Sequence, residues 1–449
     1  MNPLLREVLP ALGLDARFAA DRLAMAGGNA LPSTLPVSTL ACGSVAAAAL
    51  AALAARGGER VLVDPLQVAA SVRSDQLLRV DGRAPEAFAP LSGFLRAADG
   101  WVRTHANYPH HRERLLRALG VPAEAVPDAG EAAAAAAAVA ALPAQEVEDR
   151  LAAIGGVGVR VRDHQEWFGG AQAHAVGGHP LLAVDRVADA PTVPLADRPR
   201  VLDLTRVVAG PVATRTLAHL GCDVLRVDPP DLPEQPSLHL DTGPGKRSTL
   251  LDLHDGHARD TLHALLEEAD VLVTGYRPGA LDHFGLEPGL LAARHPTLVV
   301  ASLSAWTPSG PWGGRRGFDS IVQAATGIAL LESPDGERPG ALPAQALDHA
   351  TGYLLAAGVL AALRRRAESG GTWRVEAHLA RTAHWLLRTD ALDGHARALD
   401  DPEPWTQRVV TDHGTVELPR PAFRVDDGPQ RWSSVGHRWG ADEPAWLAR

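Results

Sequence analysis

Short, almost wholly apolar runs alternate with longer mixed segments through the second half of the chain. The apolar runs predict strands, and segments with apolar residues at helical spacing predict helices. The predicted strands cover residues 201–205, 222–228, 248–253, 271–275 and 297–305, and the predicted helices 212–220, 257–268 and 287–294. Strands that alternate with helices form parallel sheets, and wholly apolar strands are covered on both faces. The pattern predicts an α/β fold with a doubly wound parallel sheet.

The first half of the chain has a different pattern. Two alanine-rich, helix-prone stretches cover residues 40–55 and 129–141. Between them, residues 91–120 predict a strand, a turn, a second strand and then a helix from about His110. Two further predicted elements are a helix over 144–153 and a strand over 155–160. Together these elements predict a smaller α+β domain.

These patterns, with one stretch rich in Pro and Asp, divide the chain into five parts. They are an N-terminal helical segment (1–84), a small α+β domain (85–185), a linker (186–200), the large sheet domain (201–395) and a C-terminal tail that packs back on the large domain (396–449).

A faint internal repeat links the two halves. Residues 40–64 align with residues 347–376, and each stretch is a long Ala/Leu helix followed by two glycines and a short strand. The alignment places Ser38 opposite Asp348. Partial duplication explains this pattern, and chance similarity between alanine-rich helices is the alternative.

Composition narrows the possible classes of partner. The chain has 449 residues, 46% of them hydrophobic and 21% charged, which is typical of a folded globular protein. Its 43 Lys and Arg against 53 Asp and Glu give a net charge of −10. The only lysine is Lys246. An acidic chain without a basic run is not expected to bind nucleic acid.

The cysteines and the apolar stretches indicate where in the cell the protein is located. Cys42 and Cys222 are the only cysteines, they form no zinc-binding motif, and isolated cysteines suit a reducing compartment. The longest apolar stretch, residues 40–55, is shorter than the roughly 20 residues that span a bilayer. Asp and Arg interrupt the first residues, where a signal peptide would be apolar. We expect a cytoplasmic protein with no membrane partner.

Two turns in the large domain carry candidate phosphate-binding groups. The segment RVVAGPVATRTLAHLG (206–221) follows a strand and opens a helix, where free backbone N–H groups attract anions. The segment GPGKRSTLLDL (243–253) contains Lys246 and Arg247, a phosphate-binding pair or else a solvated one. Neither segment matches a GxGxxG or P-loop motif.

Three later segments add polar groups to the predicted sheet. They are GYRPGALDHFGL (275–286), the Gly- and Pro-rich stretch 303–327 with Arg315 and Arg316, and ALDHATGYLLAAGVLAAL (346–363), which places Asp348 at the start of an apolar helix. Capping of that helix is the simplest role for Asp348. The chain has no GxSxG or HExxH motif. The cluster HANYPHH (105–111) lacks metal-ligand spacing and is predicted to lie on the surface.

In this order, the segments resemble the family III CoA-transferases, also called the CaiB/BaiF family. The matching stretches are VLDLTRVVAGPVATRTLAHLGCDVLRVDPP, GKRSTLLDL, ADVLVTGYRPGALDHFGL, LSAWTPSGPW, GFDSIVQAATG and ALDHATGYLLAAGVLAALRRR. The resemblance covers about residues 200–380 and implies a Rossmann-like, CoA-binding catalytic domain. In the family the small domain follows the catalytic helix, whereas here it precedes the sheet. The domain order therefore looks permuted, and residues 1–84 would include a degenerate partial repeat.

The resemblance also implies a chemistry. Asp348 would attack an acyl-CoA thioester, form a mixed anhydride and then an aspartyl-CoA thioester, from which an acceptor carboxylate collects the CoA. A helix N-terminus favours the ionised form of this aspartate. The implied CoA contacts are the turn residues Val207, Val208 and Ala209, Leu251 and Tyr276 near the adenine, and Arg316 near the phosphates. Lys246 and Arg247 are added as the phosphate-binding pair.

Two alternatives to CoA transfer stay open. One is an acyl-CoA racemase or isomerase that uses Asp348 as a base. The family's racemases pair the aspartate with a His in a GHD motif, where this chain has Phe318, and a phenyl ring cannot carry a proton. The other is a non-catalytic CoA-binding protein, which Pro229 and His283 at often basic positions and the lack of a glycine-rich loop after residue 385 favour.

The resemblance implies partners as well. Acyl-CoA and a carboxylic acid are the expected substrates, and a homodimer is the expected assembly. CoA enters as a substrate, and neither a tightly bound cofactor nor a metal is expected.

Overall fold

The computed structural model describes residues 1–26, 28–85, 88–122, 128–395, 399 and 401–448. The N-terminal segment is mostly helical, with three short strands. Its elements are α1 (Pro3–Leu12), α2 (Ala16–Arg22), β1 (Leu23–Met25), α3 (Val37–Arg56), β2 (Val61–Val63), α4 (Pro65–Val72), α5 (Ser74–Leu77) and β3 (Arg79–Val80).

A small α+β unit follows. Its elements are β4 (Phe94–Arg96), β5 (Trp101–Thr104), α6 (Pro109–Leu119), α7 (Asp128–Ala140), α8 (Ala144–Ala153), β6 (Gly158–Arg160), α9 (His164–Gly169) and α10 (Ala171–Gly177). The strands form an antiparallel sheet in the order β4-β5-β6. The apolar faces of α6, α7 and α8 pack with this sheet around Val102, Leu115, Val139 and Val147, in a core of their own.

Seven strands form the central sheet of the large domain. They are β7 (Ala183–Ala188), β8 (Arg200–Leu204), β9 (Asp223–Asp228), β10 (Lys246–Leu250), β11 (Val271–Thr274), β12 (Val299–Ser304) and β13 (Thr372–His378), in the spatial order β10-β9-β8-β11-β12-β13-β7. All neighbours are parallel except β7, which runs antiparallel to β13 at one edge. The prediction of a linker from residue 186 is therefore wrong for residues 186–188, whose backbone pairs with a strand far along the chain.

Helices cover both faces of this sheet. They are α11 (Ala209–His219), α12 (Pro236–Thr242), α13 (Gly256–Glu268), α14 (Pro288–Arg294), α15 (Asp319–Thr326), α16 (Ile328–Leu331), α17 (Ala346–Ser369) and α18 (Leu379–Arg388). Successive side chains on a strand point to opposite faces. Val201 packs in the core shared with α11 and α17, and Leu202 packs in the core shared with α13 and α14. This two-sided burial explains why the strands are apolar throughout.

Two long apolar helices lie at the centre of the molecule. Helix α17 packs most extensively against α3, and both are buried along most of their length. By length and composition, these are the two helices within the described ranges that are apolar enough to cross a membrane, and 89% and 100% of their most apolar windows are buried in the fold. The helix predicted over residues 40–55 is 20 residues long, because it begins earlier, at Val37.

The starts of α3 and α17 are alike in detail. The residues before them, Pro36 and Gln345, have nearly the same backbone angles, φ −77°, ψ 61° and φ −74°, ψ 61°. A distant aspartate caps each first turn. Asp393 accepts hydrogen bonds from the amides of Ser38 (2.6 Å) and Thr39 (3.0 Å), as Asp319 does at α17. This likeness supports the duplication hypothesis, which remains a hypothesis.

The C-terminal segment joins the N-terminal one. Its strands are β14 (Thr406–Thr411), β15 (Gly414–Pro419) and β16 (Phe423–Val425). Strand β15 pairs with β3, and β16 pairs with β2. The last residues return to the large domain, where the Trp446 indole donates a hydrogen bond to the carbonyl of Leu265 (3.0 Å). Residue 396, where we expected the tail to begin, lies outside the described residues.

Candidate active site

Asp348 lies in the first turn of α17 and is only 4% exposed. Asp319, the first residue of α15, holds this turn in place. Its carboxylate accepts hydrogen bonds from the backbone amides of Leu347 (2.9 Å) and Asp348 (3.0 Å) and from the side chain of Gln323. Because Asp319 caps the helix, the Asp348 side chain is not the cap that its sequence position suggested. In the described part of the chain, no hydrogen bond is made to the Asp348 carboxylate.

The electrostatic environment opposes ionisation of Asp348. Burial raises the pKa of its carboxyl well above the ordinary range, and the negative charges of Asp319 and Asp75 raise it further. Burial also raises the pKa of Asp319, although three hydrogen bonds act in the opposite direction. We therefore expect Asp319 to ionise at a lower pH than Asp348.

Asp348 opens into a cavity of about 250 Å³ between the large sheet and the small domain. The turn after β8 forms one wall with Val207, Val208 and Ala209. Val207 has a left-handed backbone, φ 70°, which is costly for a β-branched residue. Its amide donates a hydrogen bond to Glu234 (3.0 Å), a buried carboxylate that also binds Arg226 (3.0 Å). This ion-paired anchor holds the turn in a shape that the sequence alone would not favour.

Four arginines line the same cavity, and they fall into two kinds. Arg206 and Arg315 are ion-paired, with Glu234 (3.6 Å) and Glu148 (3.0 Å). Arg277 and Arg316 have no carboxylate partner within the described ranges, and each donates one hydrogen bond to a backbone carbonyl.

The surroundings of the Arg316 guanidinium oppose its positive charge. Burial, together with the positive charges of Arg277 and Arg114, lowers its pKa to about 10. Two cations whose charges no carboxylate in the described part of the chain neutralises are suited to hold an anion in the cavity.

The structure brings together most of the predicted site residues. Those that line the cavity are Val207, Val208, Ala209, Tyr276, Arg316 and Asp348. Lys246, Arg247 and Leu251 do not line it. Leu251 packs in the core on the α13 face of the sheet, where Tyr276 also packs.

The expectation that Lys246 and Arg247 bind phosphate is corrected by their place on β10. Lys246 is 3% exposed and donates hydrogen bonds to Asp203 (3.2 Å) and to the carbonyl of Pro211 (2.9 Å), beneath α11. Arg247 points to the other face and binds Asp223 (2.9 Å). Neighbouring side chains on a strand cannot reach one ligand together, because they point to opposite faces.

The prediction that residues 105–111 lie on the surface is wrong. Tyr108, His110 and His111 line the cavity with Asp348, and His105 stacks on Phe318 with ring centroids 3.8 Å apart. The cluster was missed because α6 begins at Pro109 and turns these side chains toward the large domain. The one signal in the sequence is a proline after a tyrosine, which indicates the start of a helix. It does not indicate which way the side chains of that helix face. Asp319 was missed because only Phe318, and not the aspartate after it, was compared with the GHD motif of the racemases.

In the described part of the chain, no group of three or more His, Cys, Asp or Glu is arranged to hold a metal ion. The α/β sheet, the turn after β8 and the aspartate at the start of α17 define the candidate site, and comparison with known proteins identifies the family. The model of CoA-transferase family III matches residues 196–437, more than half of the chain. The chain therefore belongs to CoA-transferase family III.

Individual relatives agree with this assignment. The chain is 34% identical to the probable fatty acyl-CoA transferase Rv3272 of Mycobacterium tuberculosis over 271 residues, 55% of this chain and 68% of that protein. It is 34% identical to a formyl-CoA:oxalate CoA-transferase of Bradyrhizobium over 190 residues, 40% of this chain and 44% of that protein.

Solved structures align over shorter parts. The crystal structure of Rv3272 aligns with a TM-score of 0.39 at 34% identity, over 43% of this chain and 56% of that chain. A CAIB/BAIF family protein from Brucella suis aligns with a TM-score of 0.41 at 26% identity, over 50% of this chain and 65% of that chain. The match thus spans well under two thirds of several relatives.

Proposed function

We propose that this protein transfers CoA from an acyl-CoA to a carboxylic acid, with Asp348 as the nucleophile. The observation that carries the proposal is the carboxyl of Asp348, without a hydrogen-bond partner in the described part of the chain, facing the cavity that also holds Arg277 and Arg316. An acyl-CoA carries phosphates that the two arginines can bind and a thioester that the carboxylate can attack. The family to which the chain belongs supports CoA transfer as the reaction class.

The place of the cavity in the sheet supports ligand binding. We infer a doubly wound, Rossmann-like sheet from the order β10-β9-β8-β11-β12-β13, whose direction of progression reverses between β8 and β11. Ligands bind such sheets at the carboxyl ends of the strands, beside the reversal. The cavity is lined by residues that follow β8 and β11, including Val208 and Tyr276.

The proposed reaction proceeds through two anhydrides. The Asp348 carboxylate attacks the thioester carbon, a C–O bond forms, the C–S bond breaks, and CoA leaves as a thiolate. The thiolate attacks the aspartyl carbonyl, which releases the donor carboxylate and leaves an aspartyl-CoA thioester. The acceptor carboxylate displaces the thiolate to form a second anhydride. The thiolate then attacks the acceptor carbonyl, which yields the new acyl-CoA and free Asp348.

The raised pKa of Asp348 serves this chemistry. Once ionised, a carboxylate with a raised pKa is more basic and more nucleophilic than an ordinary one. The cost is that the ionised fraction at a given pH is smaller. Enclosure of the acyl group beside Phe318 and Leu379 also keeps water away from the anhydrides.

The racemase alternative needs a second base near Asp348. Phe318 supplies none. Two imidazoles line the cavity, those of His110 and His111, and both are weakened as bases. Burial, with neighbouring Arg side chains, lowers the pKa of His110, and burial with neighbouring His and Arg side chains lowers that of His111 to about 2. Transfer is therefore the better supported function. The proposal extends to a homodimer in the cytoplasm, and two free, buried cysteines suit such a reducing compartment.

The test is a transfer assay with a panel of acyl-CoAs and carboxylic acids, read by mass spectrometry of the CoA esters. We expect at least one pair to exchange CoA, and Asp348→Asn to lose at least about 10³-fold in kcat. Deuterium exchange at the α-carbon in heavy water, without CoA exchange, would support the racemase instead. Binding of acyl-CoA without either reaction would support a binding protein.

Arg316→Ala tests the anion-binding role. Because the guanidinium would contact a part of CoA remote from the thioester, we expect KM for the acyl-CoA to rise about tenfold with little change in kcat. Arg338→Ala, an exposed arginine outside the cavity, is the matched control. An unchanged KM in Arg316→Ala would remove this residue from the CoA site.

A further inference from the structure

His111 has no role in the chemistry described so far, although it lines the same cavity as Asp348. It lies in the first turn of α6 and is only 4% exposed. Its ring meets Phe318 edge-on, with centroids 5.6 Å apart, and Phe318 directly precedes the aspartate that caps α17. The rings of Tyr108 and His110 also pack against it, with centroids 5.6 Å and 4.1 Å away. These ring contacts restrain the imidazole in the wall of the cavity that Asp348 also lines.

The two nitrogens of this ring are in different positions. Nδ1 is fully enclosed and has no hydrogen-bond partner within the described ranges. Nε2 is not enclosed in this way and has no hydrogen-bond partner in the part of the chain that the structure describes. We therefore take Nε2 as the nitrogen that reaches the cavity His111 lines. A buried N–H without an acceptor is rarer in proteins than an under-satisfied acceptor. The tautomer with its proton on Nε2 is thus favoured, and it directs an N–H into the cavity.

The environment also keeps this imidazole neutral. Burial is the main cause that lowers the pKa of His111, and His110, His105, Arg316 and Arg114 lower it further. A neutral imidazole keeps its single proton and offers it as a hydrogen bond. Tyr108, the neighbouring hydroxyl, is already committed, because it donates to Glu234 (2.5 Å).

We propose that His111 is a further catalytic residue of this chain, whose Nε2–H donates a hydrogen bond to the carbonyl oxygen of the bound acyl-CoA. This inference rests on the proposed function. As the carboxylate oxygen of Asp348 bonds to the thioester carbon, the carbonyl electron pair moves to oxygen, and the N–H stabilises that oxyanion. When the oxyanion collapses, the pair returns and the C–S bond breaks. His111 keeps its proton throughout.

The role is specific to a donor at the position of Nε2. A glutamine amide can place an N–H near that position, whereas an asparagine amide reaches only to Nδ1, and phenylalanine has no donor. Loss of one preorganised oxyanion donor costs about 10²–10³-fold in kcat. We expect His111→Phe and His111→Asn to lose about 10²-fold and His111→Gln to recover much of that rate. His257→Gln, on the exposed face of α13, is the control.

The closing experiment measures rate and bond polarisation together. Acetyl-CoA labelled with carbon-13 at the carbonyl is bound to Asp348→Asn, which prevents turnover, and its carbonyl stretch is read by difference infrared spectroscopy. We expect a shift to lower frequency that is lost when His111→Phe or His111→Asn is added and kept with His111→Gln. Thermal melting of each variant identifies any that do not fold.

The outcomes separate the two proposals. An unchanged stretch and an unchanged kcat in folded His111→Phe and His111→Asn would overturn the role of His111 while leaving transfer intact. If the protein without substitutions exchanges no CoA and exchanges the α-proton instead, the proposed function is wrong. The role of His111 in transfer is then wrong as well. A rate loss that His111→Gln does not relieve, with the stretch unmoved, also counts against a donor role.

Discussion

At the scale of single residues, the position of Asp348 makes its ionisation unfavourable and so affects the stability of the fold. Asp348 is buried near two other carboxyls, and its pKa is raised. A raised carboxyl pKa means that the folded state binds the proton more tightly than the unfolded state does. The folded protein therefore loses stability as the pH rises from the ordinary carboxyl range through the raised pKa, where Asp348 must ionise.

The first prediction concerns this cost. Asp348→Asn removes the charge and keeps the size of the side chain, so we expect it to raise Tm near neutral pH. Each tenfold change in proton affinity is worth about 1.4 kcal/mol, or about 2 °C in Tm for a chain of this length. In acid, where the carboxyl is protonated in both states, the difference should vanish. Calorimetry at the two pH values checks it, and a lower Tm near neutrality would contradict it.

The second prediction concerns the pH dependence of transfer. In the proposed reaction Asp348 acts as the carboxylate, so kcat/KM for the free enzyme should rise with pH through its raised pKa. Asp319→Asn removes a negative charge and keeps an oxygen that can accept the hydrogen bonds from the backbone amides of α17. The acid limb of the profile should then move to lower pH. Asp335→Asn, a remote exposed carboxylate, is the control. A limb that stays in place or moves upward would contradict the coupling.

At the scale of elements, the site depends on the close approach of two helices. Helix α17 carries Asp348, and α11 begins at the turn that forms the cavity wall. They come together at Gly352, where an added Cβ would overlap the backbone oxygen of Ala209 and lie 3.0 Å from Cβ of Val212. Only a glycine at this position lets the aspartate and the turn face one cavity.

The third prediction follows from that contact. Gly352→Ala should push the start of α11 away from α17, lower stability by about 1–3 kcal/mol and raise KM for the acyl-CoA. Chemical denaturation and steady-state kinetics measure the two effects. Gly289→Ala in α14, where an added Cβ meets nothing within 4 Å, should do neither. A Gly352→Ala protein with ordinary stability and KM would show that the close approach is not needed.

At the scale of the whole molecule, the cavity lies where three distant parts of the chain meet. The small domain supplies His111, the turn after β8 supplies Val207, and α17 supplies Asp348. An arrangement with the small domain far from Asp348 would have excluded the duplication hypothesis, and it is not observed. The long connection from β6 back to β7 carries the chain from the small domain into the edge of the large sheet.

The parts of the fold set by local pattern were predictable, and those set by distant contacts were not. The strands of the large sheet were found within a few residues, because their apolar runs reflect burial on two faces. Strand β7 was missed because it is exposed at the edge of the sheet and runs into a stretch rich in Pro and Asp, which resembles a linker. The contacts of Lys246 and His111 depend on which face of a strand a side chain takes and on how the domains pack, which no spacing in the sequence records.

The measurement that tests the account most directly is a covalent trap at Asp348. The protein is incubated with a panel of acyl-CoAs, quenched with hydroxylamine and analysed by intact-protein and peptide mass spectrometry, with Asp348→Asn treated in parallel. Hydroxylamine converts an aspartyl anhydride or thioester to a stable hydroxamate. The account predicts a hydroxamate at Asp348 with at least one acyl-CoA, and none in Asp348→Asn. An unmodified Asp348 across the panel, with acyl-CoA still bound, would contradict it.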